Sequence, residues 1–292
     1  MELQWISSVP ASALYAALAL VRRRSLVDSD LAAALRPAVA ALESELTLYG
    51  YPSETLLWQW IPLAASFDGD PELAKVALNK AVGRNHPACC APVAAEAVVR
   101  LQAALLAARP RIAEELPLRM EPLRNQWEAR GPGLLAGMRR LTGDDLLVPA
   151  ASLVLVQPVL GGGGEPHPTY NRVTFEAVLA NPIACLPEVL RLGWLLAQLN
   201  FDLPVYEDRL GRKRMEFVGP LALIPVVLAA AEDIELARCD AEHLRLALTT
   251  WLDRPDVFDT LAAWWETYRE SRPSWIVGLA ALGEMLGEGS RN

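Results

Sequence analysis

Between residues 165 and 176 the chain places two carboxylates, an imidazole and a phenol in one short stretch: Glu165, His167, Tyr170 and Glu176. Paired carboxylates in a cleft split their pKa values and divide the roles of acid and base, and an imidazole beside them can carry the proton. That is the set a metal-independent hydrolase would use. Glu188 follows close behind, where the first turn of a helix favours a negative charge. The competing reading is plainer: the polar face of a strand, a solvated loop and a helix start.

Four glycines, Gly161, Gly162, Gly163 and Gly164, come just before this set. Phosphate loops also follow strands, but they need a Lys-Ser/Thr pair and a helix N-terminus to receive the anion. Here Glu165, Pro166 and Pro168 follow, which add a negative charge and no helix. The glycines therefore read as a turn between strands. There is no G-x-S-x-G elbow and no cysteine in a catalytic context.

Metal ligands are few. The three histidines are His86, His167 and His243. His86 and Cys89 have a ligand-like gap, and Cys239 and His243 lie on one face of any helix that spans both. Joined, the four could bind zinc, but nothing in the sequence brings the halves together. No metal site is assigned and no cofactor is implied. Cys89, Cys90, Cys185 and Cys239 show no disulfide framework and read as reduced thiols.

The elements that must position these groups are legible by pattern. Residues 153–156 are a Leu/Val run suited to a strand buried on both faces. Over 172–178 the residues alternate, with Val173, Phe175 and Ala177 on one side and Arg172, Thr174 and Glu176 on the other. Residues 186–199 are apolar around almost the whole helical circumference, the mark of a buried helix, so Leu190, Trp194 and Ala197 are expected in the core. Residues 1–8 read as an extended lead-in, and the rest of the stretch to residue 108 as helices broken at turn chemistry. A charged helix over 112–130 is expected to break or kink at Pro117 and Pro122 and to end at Gly131-Pro132-Gly133. Residues 206–217 fit either a hairpin or an ordered loop. Four helices follow; in one of them Phe258, Leu261, Ala262, Trp265 and Tyr268 form an inward stripe, and Trp264 lies at the core edge or in an interface. Residues 287–292 are expected to fray.

The fold class that results is α+β, mainly α: a helical region, 1–108, packed on an α+β region, 109–292, with a small sheet and a buried central helix. The 292 residues, 52% of them hydrophobic, supply ample core for this. A net charge of −8 argues against a nucleic-acid partner. The Arg22-Arg23-Arg24 and Arg212-Lys213-Arg214 runs read as solvated ends. No targeting or transmembrane segment is expected, since the apolar runs are short or interrupted by proline and glycine, and the expected location is cytoplasmic.

A strand, a glycine-rich turn, a second strand and a helix entered through Leu-Pro resembles the core of zincin metallopeptidases over residues 112–200. In that family the helix carries H-E-x-x-H. In the similar register here Leu192 and Leu196 stand at the histidine positions and Gly193 at the glutamate. The resemblance thus implies a related fold without zinc hydrolysis. The expected function is a non-enzymatic scaffold or protein-binding protein, a catalytically dead zincin-like relative, with a protein as partner. The alternative is the metal-independent enzyme built on Glu165, His167, Tyr170 and Glu176. A membrane-surface role would require the 22–24 arginines and tryptophan faces to be exposed together. Leucine offers a cation no lone pair, so elemental analysis of the purified chain should find no stoichiometric zinc. About one zinc per chain would revive the His86, Cys89, Cys239 and His243 set.

Overall fold

The computed structural model describes residues 1–65, 71–83 and 90–289. The chain opens with strand β1 (Glu2–Ser7), followed by helices α1 (Val9–Val21), α2 (Ser29–Thr47), α3 (Ser53–Ala64), α4 (Pro71–Val82), α5 (Cys90–Ala108) and α6 (Ile112–Thr142). Strands β2 (Ala150–Val156), β3 (Gly164–His167) and β4 (Arg172–Glu176) come next. Six more helices close the chain: α7 (Glu188–Leu196), α8 (Pro204–Leu210), α9 (Arg212–Glu232), α10 (Ala241–Ala247), α11 (Phe258–Ser271) and α12 (Trp275–Gly289). This is the α+β, mainly α class that the residue patterns imply.

The strands form one sheet in the order β1-β2-β4-β3. β1 and β4 flank β2 in parallel, and β3 runs antiparallel along β4 as the outer strand. Two of these strands depart from the sequence reading. Residues 2–7 are not a lead-in but a full partner of β2, from Glu2 beside Ala150 to Ser7 beside Leu155. The sheet thus draws a strand from each side of the 108/109 boundary. Residues 164–167, expected in a loop, are β3: Pro166 is compatible with an edge strand, where its missing N–H faces away from the ladder.

Helices cover both faces of the sheet. On β3, Glu165 reaches Arg22 at the end of α1, and Gly164 meets Leu195 of α7. Neighbouring strand residues point to opposite faces, so α1 and α7 lie on opposite sides. α3 joins α1, with Trp58 against His167, and α6 joins α7, with Leu134 against Gly193. This explains the burial of Thr174 and Glu176, the polar side of the β4 alternation, at 0% exposure.

α7 is the centre of the molecule, with all nine of its residues buried. Leu190, Trp194 and Ala197 are in the core, as the all-round apolar pattern requires. α6 is one continuous helix of 31 residues despite Pro117, Pro122 and Pro132. All three prolines lie on its exposed side. There a carbonyl that loses its backbone partner is open to solvent, so the helix can run on through each proline. Residues 206–217 are neither hairpin nor loop but the adjoining parts of α8 and α9, which meet at Gly211 with φ +74°. Trp264 is not at the core edge: α12 packs over it, and its indole donates to the Gly278 carbonyl at 2.8 Å. α12 continues to Gly289, past the expected start of fraying; residues 290–292 lie outside the described residues.

Among the described residues two helices, α5 and α9, are long and apolar enough to span a membrane by length and composition. For α9 the apolar window is 72% buried within the fold. A core helix reads the same way.

Leu190 is fully buried, so Leu190→Ala should cost about 2–5 kcal/mol, transfer and cavity terms together. Urea denaturation is the measurement, and a variant as stable as the parent would remove α7 from the centre of the fold.

Candidate functional site

The glycine loop between β2 and β3 is wrapped around a carboxylate of the chain itself. Glu176, at the end of β4, accepts backbone N–H bonds from Val159 at 3.0 Å, Leu160 at 2.7 Å and Gly162 at 2.6 Å. These converging donors are the kind of concavity that elsewhere holds an anionic ligand. Gly162 adopts φ +128°, and a Cβ there would lie 2.7 Å from an Arg191 guanidinium nitrogen, so a side chain is excluded by both conformation and space. Arg191 pairs with Glu188 on α7 and lies over the Phe175 ring at 4.8 Å. Burial pushes the Glu176 carboxyl up, opposed by the three N–H donors and Arg191. Burial likewise raises Glu188, opposed by Arg191. Tyr15 of α1 closes this cluster beneath Gly163, its phenol raised well above the usual range by burial and by Glu176 and Glu165.

The four sequence candidates do not share a solvent-filled space. Glu176 is consumed by the loop. His167 is fully buried against Trp58, ring centres 5.1 Å apart, with Nε2 3.0 Å from the Thr174 hydroxyl and Nδ1 without a partner. Burial, then Arg172 and Arg22, lowers its pKa to about 3, so it is neutral at pH 7. Tyr170 donates to the Gln59 side chain at 3.0 Å, and Lys80 lies over its ring. Glu165 alone borders an open cleft, and it is bound there by Arg22, which also holds Glu54.

That cleft, of about 600 Å³, runs along the outer side of β3. One wall comes from the α1 and α3 side, with Arg22, Arg24, Glu54, Thr55 and Trp58. The other comes from α7 and the turns that follow it, from α9 and from the turn after α10, with Trp194, Leu195, Gln198, Phe201, Glu216 and Trp251. Trp194 and Trp251 pack together at 5.4 Å, and the Trp194 indole donates to the Pro220 carbonyl at 2.9 Å. Sequence reasoning missed this cleft because its walls are far apart in the chain.

The H-E-x-x-H register of α7, Leu192, Gly193 and Leu196, is turned into the core. Leu192 and Leu196 are at 0% exposure, and Gly193 is where Leu134 of α6 packs: a Cβ there would lie 2.7 Å from the Leu134 side chain. Trp194 and Leu195 of α7 and Gln198, beyond its end, border the cleft.

For the zinc reading, His86 and Cys89 lie outside the described residues. Cys239 precedes α10, so no helix spans Cys239 and His243; they contact the Pro225 carbonyl and Asp240 respectively. Among the described residues no three His, Cys, Asp or Glu side chains are grouped to hold a metal ion. No protein-family model, curated protein or solved structure matches this chain.

His167 makes stability depend on pH in a defined direction. Its folded pKa of about 3 lies below the ordinary 6.5. Its contribution is therefore complete above pH 6.5 and is lost as pH falls toward 3, at about 1.4 kcal/mol per unit. Glu176 and Glu188, with raised carboxyls, act in the opposite sense. Unfolding free energies of the parent and His167→Gln between pH 7 and 4 should isolate the histidine. The variant's curve should be flatter on the acid side; parallel curves would mean that His167 titrates normally.

Proposed function

We propose that this chain is a non-enzymatic binding protein that takes an extended segment of a partner protein into the cleft as a further strand beside β3. The observation that carries this reading is the open edge of β3 at the cleft. The Glu176 N–H donates to the Gly163 carbonyl, and in an antiparallel ladder the bonded pairs alternate. Glu165 and His167 therefore spend their backbone groups on β4. The Gly164 N–H and C=O and the Pro166 C=O point the other way. An added strand gains its affinity from such main-chain bonds and its specificity from the flanking walls. Trp58 on one wall and Trp251 on the other, both half-buried, supply the large, stiff surfaces from which interface energy mostly comes.

The zincin-like order of strands, turn and helix supports a catalytically dead relative: in the H-E-x-x-H register α7 holds Leu192, Gly193 and Leu196, which offer no ligand and no base. The metal-independent hydrolase needs Glu165, His167, Tyr170 and Glu176 to reach one substrate. With His167 and Glu176 at 0% exposure and the phenol turned to Gln59, that reading lacks its machinery.

Panning a library of random nonapeptides should enrich ligands for the wild-type chain that shift the Gly164 amide in a ¹⁵N spectrum. Thr55 is exposed on the cleft wall, so Thr55→Trp should obstruct the cleft with little change in melting temperature. Affinity should fall at least about tenfold, the loss of one good contact. Ligands that bind Thr55→Trp as well as the parent, or no enrichment at all, would overturn the proposal.

A further inference from the structure

The outer side of α5 is apolar where a solvated helix would be charged. We propose that a second copy of this chain covers it, with α5 packed antiparallel on α5 about a two-fold axis. No residue of α5 lines the cleft, so the inference is independent of the reading above.

α5 is apolar enough to span a membrane, yet only 39% of its apolar stretch is buried, against 72% for α9. Its inner side packs on α1, α2 and α4 through residues such as Ala94, Leu101 and Leu105. Its outer side carries Pro92, Val99 and Leu106, each seven residues from the next and so on one line of the helix. Val99 is 55% exposed and Leu106 41%. Glu96 is the one exposed charge among the residues of α5. α2 lies alongside, tied by Glu45 to Arg100 at 2.6 Å and by Asp28 to Arg109. Its exposed residues Ala33, Pro37, Ala40 and Ser44 extend the uncharged surface. A helix of this chain that faces water is composed otherwise: over residues 112–130, α6 exposes Glu114, Glu121, Arg124, Glu128 and Arg130. Single apolar residues scattered on a surface need no partner, but a line of them on an uncharged face marks an interaction site.

The face is complementary to itself. Val99 is the middle residue of α5, so an antiparallel two-fold axis there overlaps the two helices along their whole length. Leu106 then meets Pro92 of the second copy, Ala103 meets Ala95, and Val99 meets Val99. Glu96 falls level with Gln102 and not with another carboxylate. Apolar residues thus face apolar residues along the line, and no like charges are opposed. The area is sufficient for a weak dimer. A helix of 19 residues is about 28 Å long, and with α2 beside it the face is about 20 Å wide. That gives about 550 Å² per copy, or about 1,100 Å² in all, the lower end for a specific interface. A bilayer fits less well. The exposed charges of the two helices are Asp30, Arg36 and Glu96, with no basic cluster to hold an anionic surface.

Sedimentation equilibrium of the intact chain from about 1 to about 100 μM should show a monomer–dimer equilibrium. Val99→Glu sets two carboxylates against each other on the axis and should leave a monomer over the same range. The position is exposed, so circular dichroism and melting temperature in dilute solution should be unchanged. Glu121→Lys, on the exposed side of α6, should leave the equilibrium as it is in the parent. A parent that stays monomeric at about 100 μM, or a dimer that Val99→Glu leaves intact, would overturn the inference. So would a monomeric parent that floats with phosphatidylcholine vesicles and a Val99→Glu variant that does not, which would give the face to a bilayer.

Discussion

The carboxylate of Glu176 is the constraint on which the cleft depends. It sits at the end of β4, sealed from water, and answers three backbone N–H groups of the loop that leads out of β2. Without it those donors would be stranded in the interior, at about 1–3 kcal/mol for each unsatisfied group. With it the chain makes a tight return, reaches Gly163 and Gly164, and lies down antiparallel on β4. The edge of the sheet therefore exists because the loop is fixed first. Arg191 joins the same cluster to α7, so the wall behind the edge is tied to the loop that creates it. A glycine run that invites a ligand-binding reading is, in this fold, already filled by the protein's own anion.

The same burial that secures the loop disarms its chemistry. An acid–base pair needs one group poised near neutrality and access to a substrate. His167, with its pKa lowered to about 3, stays neutral at pH 7, and Thr174 and Trp58 enclose it. Glu165 keeps access to the cleft but is committed to Arg22. What remains open to a ligand is backbone, aromatic surface and a few rim charges.

How much of this was legible depended on whether a signal is local. The alternation in β4, the Leu/Val run of β2 and the all-round apolar α7 are periodic over enough residues to be read directly, and they gave the core and the class. β1 escaped because six residues with a half-exposed pattern show no reason to be a strand until β2 is beside them. β3 escaped because Gly-Glu-Pro-His has little strand propensity; the ladder with β4 imposes its conformation. The prolines of α6 overstated a break, since their cost depends on whether water can reach the freed carbonyl. The α7 register could not be chosen from sequence either, because a helix buried on all sides gives no polar stripe to mark which side borders a cleft.

Open sheet edges invite indiscriminate pairing, and the two edges of this sheet are managed differently. β1 carries Glu2 and Gln4 outward as exposed polar residues. β3 is four residues long, contains a proline with its nitrogen toward the open side, and lies at the bottom of a walled cleft. A second copy of the sheet could not approach it edge to edge without meeting α3 and α9. A single extended segment meets no such barrier, and the walls that exclude a sheet are the surfaces that would hold a strand. The features that protect the edge from indiscriminate pairing are thus the ones that make it selective, which is why we place recognition there and not at β1.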